Sequence, residues 1–447
     1  MQNVNPRKIA LNILVDIEKN AAFSNITINK YLKKNKVSSL DRRFISQLVY
    51  GVLENKQYLD YIVRNLSKTK INKIQIEILN ILRLGLYQII FLEKIPESAA
   101  VNESVKLAKK VNFRLSGFVN GILRSFLRER DSIKLPKYED NPVEHLSLKY
   151  SHTEWLVNKW VDDYGIDFTK ELLEANNQVP NLTIRTNTLR ATRDELIDEL
   201  NRDGVVCQRG EIAPEAIIIQ SMKEGLDNLK PFNNGLFQVQ DESSMLVSHV
   251  LKPREGQFIL DVCSAPGGKS THIAQLMNNK GKILSRDIHE HKLDLIKENC
   301  ERLGISIVNT EKFNALKLDK GLLSSADKVL VDAPCSGFGI IRRKPEIRYF
   351  KEYKHIIELS KMQIKMLSMS SKYVKNGGEL LYSTCTIQDE ENENVIKEFL
   401  RQNDNFALMD VNSYLPESLH SKKEYLQLYP NITNTDGFFI CKMKRLR

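Results

Sequence analysis

Apolar positions recur at helical spacing through about the first 136 residues and at strand spacing beyond residue 180. The pattern predicts an all-helical amino-terminal part followed by mixed α/β structure. "RKIALNILVDIEK" places Ile9, Leu11, Ile13, Leu14 and Ile17 on one broad face. "SLDRRFISQLVYGVLENKQYLDYIVRNL" continues the pattern with Ser39 as the expected cap, and "NESVKLAKKV" and "SGFVNGILRSFLRER" predict two further helices. No proline interrupts the chain between Pro6 and Pro96. The most apolar stretch, "ILNILRLGLYQIIFL", is broken by Arg83 and is too short to span a bilayer. "SIKLPKYEDNPVEHLSLKYS" holds two prolines and no strong period, so it is expected to be a linker. "TEWLVNKWVDDYG" predicts a helix ended by Gly165.

The period changes from Pro180. Strands are expected at "NLTIRTN", "VVCQRG", "EAIIIQ" and "GLFQVQD". Helices are expected at "TRDELIDELNRDG", with a capping box from Thr192 to Glu195, and at "SMKEGLDNL", with a second box from Ser221 to Glu224. Strand–helix–strand–strand–helix–strand is the ferredoxin-like order, shared by many RNA-binding modules. From about residue 256 strands and helices alternate: "GQFILDVCSAP", "GKSTHIAQLMNN", "GKILSRDI", "HKLDLIKENCERLG", "ISIVNTEKF", "ADKVLVDAP", a long helical stretch from about 351 to 375, and "GGELLYSTCT". The chain closes with "EENENVIKEFLRQ", "FALMDV" and "GFFICKMKRL". This is the pattern of a doubly wound, mostly parallel α/β sheet.

Composition narrows the functional classes. A chain of 447 residues predicts two to four domains, and 42% hydrophobic with 27% charged residues excludes a disordered protein. The formal net charge of +10 suits a polyanion such as nucleic acid. The basic positions Lys33, Lys34, Lys36, Arg42, Arg43, Lys109, Lys110 and Arg114 lie in the helical part, where each one singly reads as solvated surface. The amino terminus has no signal-peptide core. The six cysteines include no Cys-x-x-Cys pair, which argues against zinc and for reduced thiols in a cytoplasmic protein.

The residues suited to chemistry collect where the sheet strands are expected to end, which is where such sheets bind ligands. "DVCSAPGGKS" follows the first strand, and Pro266, Gly267 and Gly268 predict a tight turn that a ligand can approach. Gly-x-Gly-x-x-Gly is absent, which counts against a dinucleotide site. Asp287 ends the second strand, where it either accepts hydrogen bonds from ribose hydroxyls or caps the next helix. His289 and His291 lack a third ligand, so no metal is expected. Asp332 and Cys335 emerge from "VLVDAPCSGFG", and Cys385 emerges from "LLYSTCT" on the following strand. Two cysteines on consecutive strand ends beside an acid are hard to explain as packing alone.

"CSAPGGK", "DAPCSG" and "YSTCT…EEN" together resemble the RNA cytosine-C5 methyltransferases that use S-adenosylmethionine. "VQDESS" and "IRTN" extend the match. "AVNESVKLAKK" and "GFVNGILR" resemble the NusB-type RNA-binding domain. The combination, over nearly the whole chain, resembles the bacterial 16S rRNA cytosine-C5 methyltransferase B (Sun) family. It implies a NusB-like helical domain at 1–136, a linker helix and ferredoxin/RRM-like module at 145–235, and a Rossmann-like S-adenosylmethionine-dependent methyltransferase domain at 236–447. The implied partner is 16S rRNA, naked or in an early small-subunit particle, acted on by a monomer without metal or membrane.

The resemblance also implies roles. Cys385 is the nucleophile, Cys335 assists product release, and Asp332 sits between cofactor and base. Cys263, Ser264, Ala265, Pro266, Gly267, Gly268 and Lys269 line the cofactor loop, and Lys269 contacts the cofactor carboxylate or Asp332. Asp287 holds the ribose. The family usually carries an acid after the third strand, to contact the adenine amino group. This chain offers Asn314 there, whose side-chain carbonyl can still accept a hydrogen bond. Two alternatives stand beside this reading. DNA cytosine methyltransferases attack from a Pro-Cys motif, which by analogy makes Cys335 the nucleophile. The chain could also be a ribosome-assembly or antitermination factor with a silent methyltransferase fold, although the cysteine pair and Asp332 argue against silence.

Overall fold

The computed structural model describes residues 5–35, 37–223 and 225–447. Lys36 and the Ser221–Glu224 capping box, through Glu224, lie outside the described residues. The chain divides into two compact units. One comprises the residues up to Gln178 together with Ile341–Phe350, and the other comprises Val179–Ile340 and Lys351–Arg447.

The first unit is helical, with its core on the helix Ile76–Phe91, in which every residue from Ile78 to Gln88 is buried. Helices Pro6–Asn20, Ser39–Glu54, Glu97–Val111 and Ser116–Glu129 pack around it. Arg83 sits inside this core because its guanidinium is paired on both sides, with Asp60 at 2.6 and 2.8 Å and with Glu18 at 2.8 Å. A buried charge is tolerated only with such partners. The cap of Ser39–Glu54 is Ser38, not the expected Ser39. Its hydroxyl takes the Asp41 amide, and Ser39 is the first helical residue. The expected single long helix breaks at Asn55, and a second one runs Lys56–Leu66.

The expected linker contains a helix, Pro142–Lys149, with Asn141 as cap and proline at its first position. Helix Glu154–Tyr164 ends at Gly165 as expected, where φ is +83°, and a further helix follows at Ile166–Ala175. Ile341–Phe350 is stitched into this unit. Glu346 accepts the Ser24 amide at 2.8 Å, the Tyr349 hydroxyl donates to the Leu53 carbonyl at 2.7 Å, and Arg348 donates to Asn177 Oδ1 at 2.8 Å and to backbone carbonyls of Tyr150 and Ser151. The described basic side chains Lys33, Lys34, Arg42, Arg43, Lys109, Lys110 and Arg114 are exposed. No helix among the described residues is long and apolar enough to cross a membrane.

The second unit holds two sheets. The smaller has strands β1 (Leu182–Thr186), β2 (Val206–Arg209), β3 (Ala216–Ser221) and β4 (Phe237–Val239). They are antiparallel in the order β2-β3-β1-β4, the ferredoxin-like arrangement. The Thr192–Glu195 box caps helix Arg193–Arg202. The second expected helix is reduced to a short turn at Leu226–Asn228 and the four residues Lys230–Asn233.

The larger sheet has eight strands: β5 (Phe258–Asp261), β6 (Lys282–Asp287), β7 (Val308–Lys312), β8 (Ala326–Asp332), β9 (Val374–Thr384), β10 (Phe406–Met409), β11 (Leu426–Leu428) and β12 (Phe438–Arg445). Their order is β10-β12-β9-β8-β5-β6-β7, with β11 paired to β12. The five strands from β9 to β7 are parallel, and β10, β11 and β12 add antiparallel at one edge. The chain winds outward from β5 to β7 and then crosses back to β8. The loops after β5 and β8 therefore part company at the topological switch point, where such sheets open a ligand crevice.

Candidate active site

The loop after β5 is shaped by its glycines. Gly267 has φ of +97° and accepts no side chain in comfort, because a Cβ there would lie 3.2 Å from Ile296. Its amide bonds the Ser264 carbonyl at 2.7 Å, closing the turn. Helix Gly268–Leu276 starts immediately after it, with no side chain capping its first amides. Uncapped amides at a helix start suit a carboxylate or phosphate. Ser264 is tied to β6 through its amide and hydroxyl, both bonded to the Arg286 carbonyl, while Ala265, Gly268 and Lys269 are half-buried and Pro266 is exposed. Cys263 Sγ lies 3.4 Å from Met366 Sδ, and burial, with the acids Asp261, Asp332 and Asp287, keeps its thiol neutral.

Asp287, at the end of β6, accepts the His289 amide at 2.9 Å. The cap of the following helix Glu290–Leu303 is His289, so Asp287 is not that cap. Asn314, after β7, turns its side-chain oxygen to the Leu316 amide at 2.9 Å.

Opposite this loop, β8 and β9 bring the remaining predicted residues together. Their register sets Asp332 beside Ser383, so the two loops leave the sheet at the same level. The Ser383 hydroxyl donates to Asp332 Oδ1 at 2.8 Å, and Lys269 holds Oδ2 at 2.6 Å. Lys269 thus reaches from the first loop to the acid of the second, with its ammonium 5.2 Å from the centre of the Phe438 ring. Cys335 and Cys385, both half-buried and neither in a disulfide, meet with their sulfurs 3.3 Å apart. The hydrogen bond to Cys385 and burial, with the nearby Cys385 and Glu391 charges, push the Cys335 thiol well above its ordinary range.

Three sets of supporting residues had no role assigned from sequence. Glu391 and Asn392, within the "EEN" motif, are fully buried. Glu391 accepts the Ser336 amide at 2.8 Å, the Ser336 hydroxyl, and Gln363 at 2.9 Å, which also bonds the Pro334 carbonyl. Asn392 takes the Thr384 hydroxyl at 2.6 Å and donates to the Thr386 carbonyl at 3.0 Å. The segment after β9 therefore clamps the loops carrying both cysteines. Gly339 completes the seam: its amide bonds the Cys385 carbonyl at 3.0 Å, and a Cβ there would fall 2.0 Å from the Gly437 carbonyl oxygen.

Arg185 of "IRTN", buried on β1, donates to the Gly268 carbonyl at 2.7 Å, to Thr271 at 3.1 Å and to Gln240 of "VQDESS". The small sheet thereby braces the loop after β5. Finally, His272, on the helix Gly268–Leu276, meets Glu215 and His249. One carboxylate oxygen of Glu215 lies 2.6 Å from His272 Nε2 and 2.9 Å from His249 Nε2. Among the described residues this is the one His/Cys/acid cluster with ligand-like spacing, and it does not involve the His289–His291 pair. Burial and the neighbouring Arg185 hold His272 neutral, down to about 3.

Comparison with known proteins agrees with this architecture. Residues 248–444 match the family described as 16S rRNA methyltransferase RsmB/F, residues 4–128 match the NusB family, and residues 152–224 match the RsmF/B-like ferredoxin-like domain. The "Probable ribosomal RNA small subunit methyltransferase B" of Bacillus subtilis (strain 168) is 39% identical, with 100% of each chain covered. The crystal structure of PH0851 superposes with a TM-score of 0.84 at 29% identity, covering 99% of each chain. NSun6 from Pyrococcus horikoshii, solved with SFG, gives a TM-score of 0.60 at 26% identity over 66% of this chain and 98% of that one. The motifs, the three consecutive domains and full-length identity at this level converge, and the chain belongs to the RsmB/F family of 16S rRNA methyltransferases.

Proposed function

We propose that the protein transfers a methyl group from S-adenosylmethionine to C5 of a cytosine in 16S rRNA, through a covalent adduct between Cys385 and C6 of the base. The observation that carries this reading is the Cys335–Cys385 pair. Cytosine C5 is too weakly nucleophilic to take a methyl group unaided, and a thiolate adding to C6 makes it enamine-like. Cys335 keeps its proton, and its S–H can donate to the sulfur of Cys385, which favours the anion at Cys385. Lys269 and Ser383 hold the Asp332 carboxylate, whose oxygens suit hydrogen bonds from the cytosine edge. A solvent base takes the C5 proton, the C5–H electron pair re-forms the C5–C6 double bond, and the C6–S bond breaks to release the Cys385 thiolate, to which the Cys335 thiol can donate.

The residues after β5 and β6 fit the donor molecule. Uncapped amides at the start of helix Gly268–Leu276 suit its carboxylate, and Asp287 suits ribose hydroxyls. Asn314 retains a lone pair for the adenine amino group. When bound, S-adenosylmethionine supplies an electrophilic methyl group to the activated carbon. The helical unit and the ferredoxin-like sheet supply RNA affinity, and the target cytosine is unstacked or in a single-stranded loop, because both faces of the ring must be reached.

The test is a denaturing gel of RNA with S-adenosylmethionine and each cysteine variant. Cys385→Ala gives neither adduct nor product. Cys335→Ala attacks and methylates, then stalls as a protein–RNA crosslink. A shifted band from Cys385→Ala with none from Cys335→Ala would assign attack to Cys335, as in the Pro-Cys enzymes. Bisulfite sequencing of rRNA from cells with and without the gene identifies the cytosine, and an unchanged pattern would refute the substrate.

A further inference from the structure

The end of the large sheet opposite the cysteines carries a cavity that the methyl-transfer reading leaves unused. Its volume is about 290 Å³, and it opens where β5, β8 and β9 begin. Five cations line it, Lys252, Arg254, Lys328, Lys375 and Lys442, against two acids, Asp327 and Glu379.

The charges are not distributed as a solvated surface would have them. Lys442 and Lys328 are buried, at 0% and 5% exposure, and both ammoniums converge on the one carboxylate of Glu379, Lys442 at 2.9 Å. Lys328 also donates to the Leu251 carbonyl at 2.7 Å. Burying two ammoniums on a single carboxylate leaves an excess positive charge in a low-dielectric setting, which costs stability unless something answers it. Lys375 is spent on Asp327 at 2.9 Å. Lys252 and Arg254 stand at the rim, exposed, and among the described residues no carboxylate lies within ion-pair distance of either. Their charge bears instead on Lys442, and that of Arg254 also on Lys328. Like charges gathered around a polar cavity, two of them fixed by burial, are what an anion neutralises. A phosphate offers several acceptor oxygens for ammonium and guanidinium donors.

We infer that this cavity is a phosphate-binding site, separate from the methyl-transfer site. Its rim donors are Lys252 and Arg254, and its floor is the Lys328–Glu379–Lys442 cluster. The site is separated from Asp332 by the length of β8, roughly 20 Å at strand rise. The phosphate belongs either to the backbone of a bound RNA or to a free phosphate compound, and the test separates the two.

Full-length protein and the variant Lys252→Gln/Arg254→Gln are titrated with inorganic pyrophosphate at constant ionic strength by calorimetry. Lys297→Gln/Lys397→Gln, which removes two charges elsewhere, serves as control. Both rim residues are exposed and outside the cysteine loops, so the variant is expected to fold. Pyrophosphate binding should weaken at least tenfold in the rim variant and stay unchanged in the control. A 16S rRNA fragment is then titrated over a range of salt. If the phosphate is that of RNA, the rim variant lowers the slope of log affinity against log salt by about 1, and pyrophosphate competes with RNA. If it is a free compound, pyrophosphate binding is lost while the RNA slope is unchanged. No pyrophosphate binding by the unaltered protein, or equal binding by the rim variant, overturns the inference. Neither outcome bears on whether Cys385 forms an adduct.

Discussion

Asp261 closes β5 immediately before the loop that faces the cysteines, and it is completely buried. One oxygen takes the Ser270 hydroxyl at 2.6 Å, and the other has no hydrogen-bond partner. Burial, with the charge of Asp332 nearby, raises its carboxyl from the ordinary 3.8 to about 7. The folded protein therefore keeps a proton there that the unfolded chain releases. The stabilising contribution is complete below about pH 4, falls as pH rises, and is gone once the folded group ionises near 7. A shift of about three pH units at 1.36 kcal/mol per unit amounts to about 4 kcal/mol over the whole window, and about 3 kcal/mol between pH 5 and pH 8.

Asp261→Asn keeps an oxygen for Ser270 and cannot ionise. The assay is urea unfolding of both proteins at about pH 5 and pH 8. The difference in stability between variant and parent should move in the variant's favour by about 3 kcal/mol on going to the higher pH. Other titrating groups cancel in this comparison. A difference that is the same at both pH values would refute the assignment of a buried, protonated Asp261.

The clamp and the seam give two further tests. Glu391→Ala strips acceptors from the Ser336 amide, the Ser336 hydroxyl and Gln363, each worth about 1–3 kcal/mol when left unmet in the interior. Urea unfolding should show a loss of several kcal/mol, with a smaller loss for Glu391→Gln, and adduct formation by Cys385 should fall in step; equal stability of all three proteins would sink the clamp. Gly339→Ala drives a methyl group onto the Gly437 and Cys385 carbonyl oxygens, which belong to backbone and cannot swing away. It should cost roughly 2–4 kcal/mol, and a melting temperature within a degree of the parent would show that the seam is looser than described.

The strand ends were legible because the hydrophobic period changes there. "FILD" and "KVLVD" are continuous apolar runs of strands covered on both faces, and the polar residues that follow are necessarily at the sheet's edge. What was not legible depends on partners far along the chain. Arg185 reads as the polar position of an alternating strand, and nothing local announces that it is buried against Gly268, 83 residues away. Glu391 looks like one acid in an acidic run, yet it is fully buried while Asp389 beside it is exposed. Glu215, His249 and His272 are brought together only by the packing of the two sheets' connecting segments. The helix Pro142–Lys149 did carry signals, in Asn141 as cap, Pro142 at the first turn and Glu144 behind it, but eight residues are too few to establish a period. β11 has three residues and fails for the same reason. Ser38 and Ser39 are chemically equal candidates for one cap, and only the backbone at Ser38, extended at ψ of 160°, decides between them.

The assignment of Ile341–Phe350 to the helical unit reorders synthesis. That unit begins at the amino terminus, but it lacks a ten-residue part of itself until Phe350 has been made. Until then Ser24 has no Glu346 for its amide, and the carbonyls of Tyr150 and Ser151 have no Arg348. The intervening stretch of roughly 160 residues occupies a ribosome for roughly ten to thirty seconds at ordinary elongation rates. During that time the nascent helices wait, incompletely closed, while the ferredoxin-like sheet and the first four strands of the larger sheet emerge. The usual sequence, in which each domain is finished before the next appears, is therefore not open to this chain. A nascent-chain pause placed after residue 350 should yield a protease-resistant helical unit, and one placed before residue 340 should not.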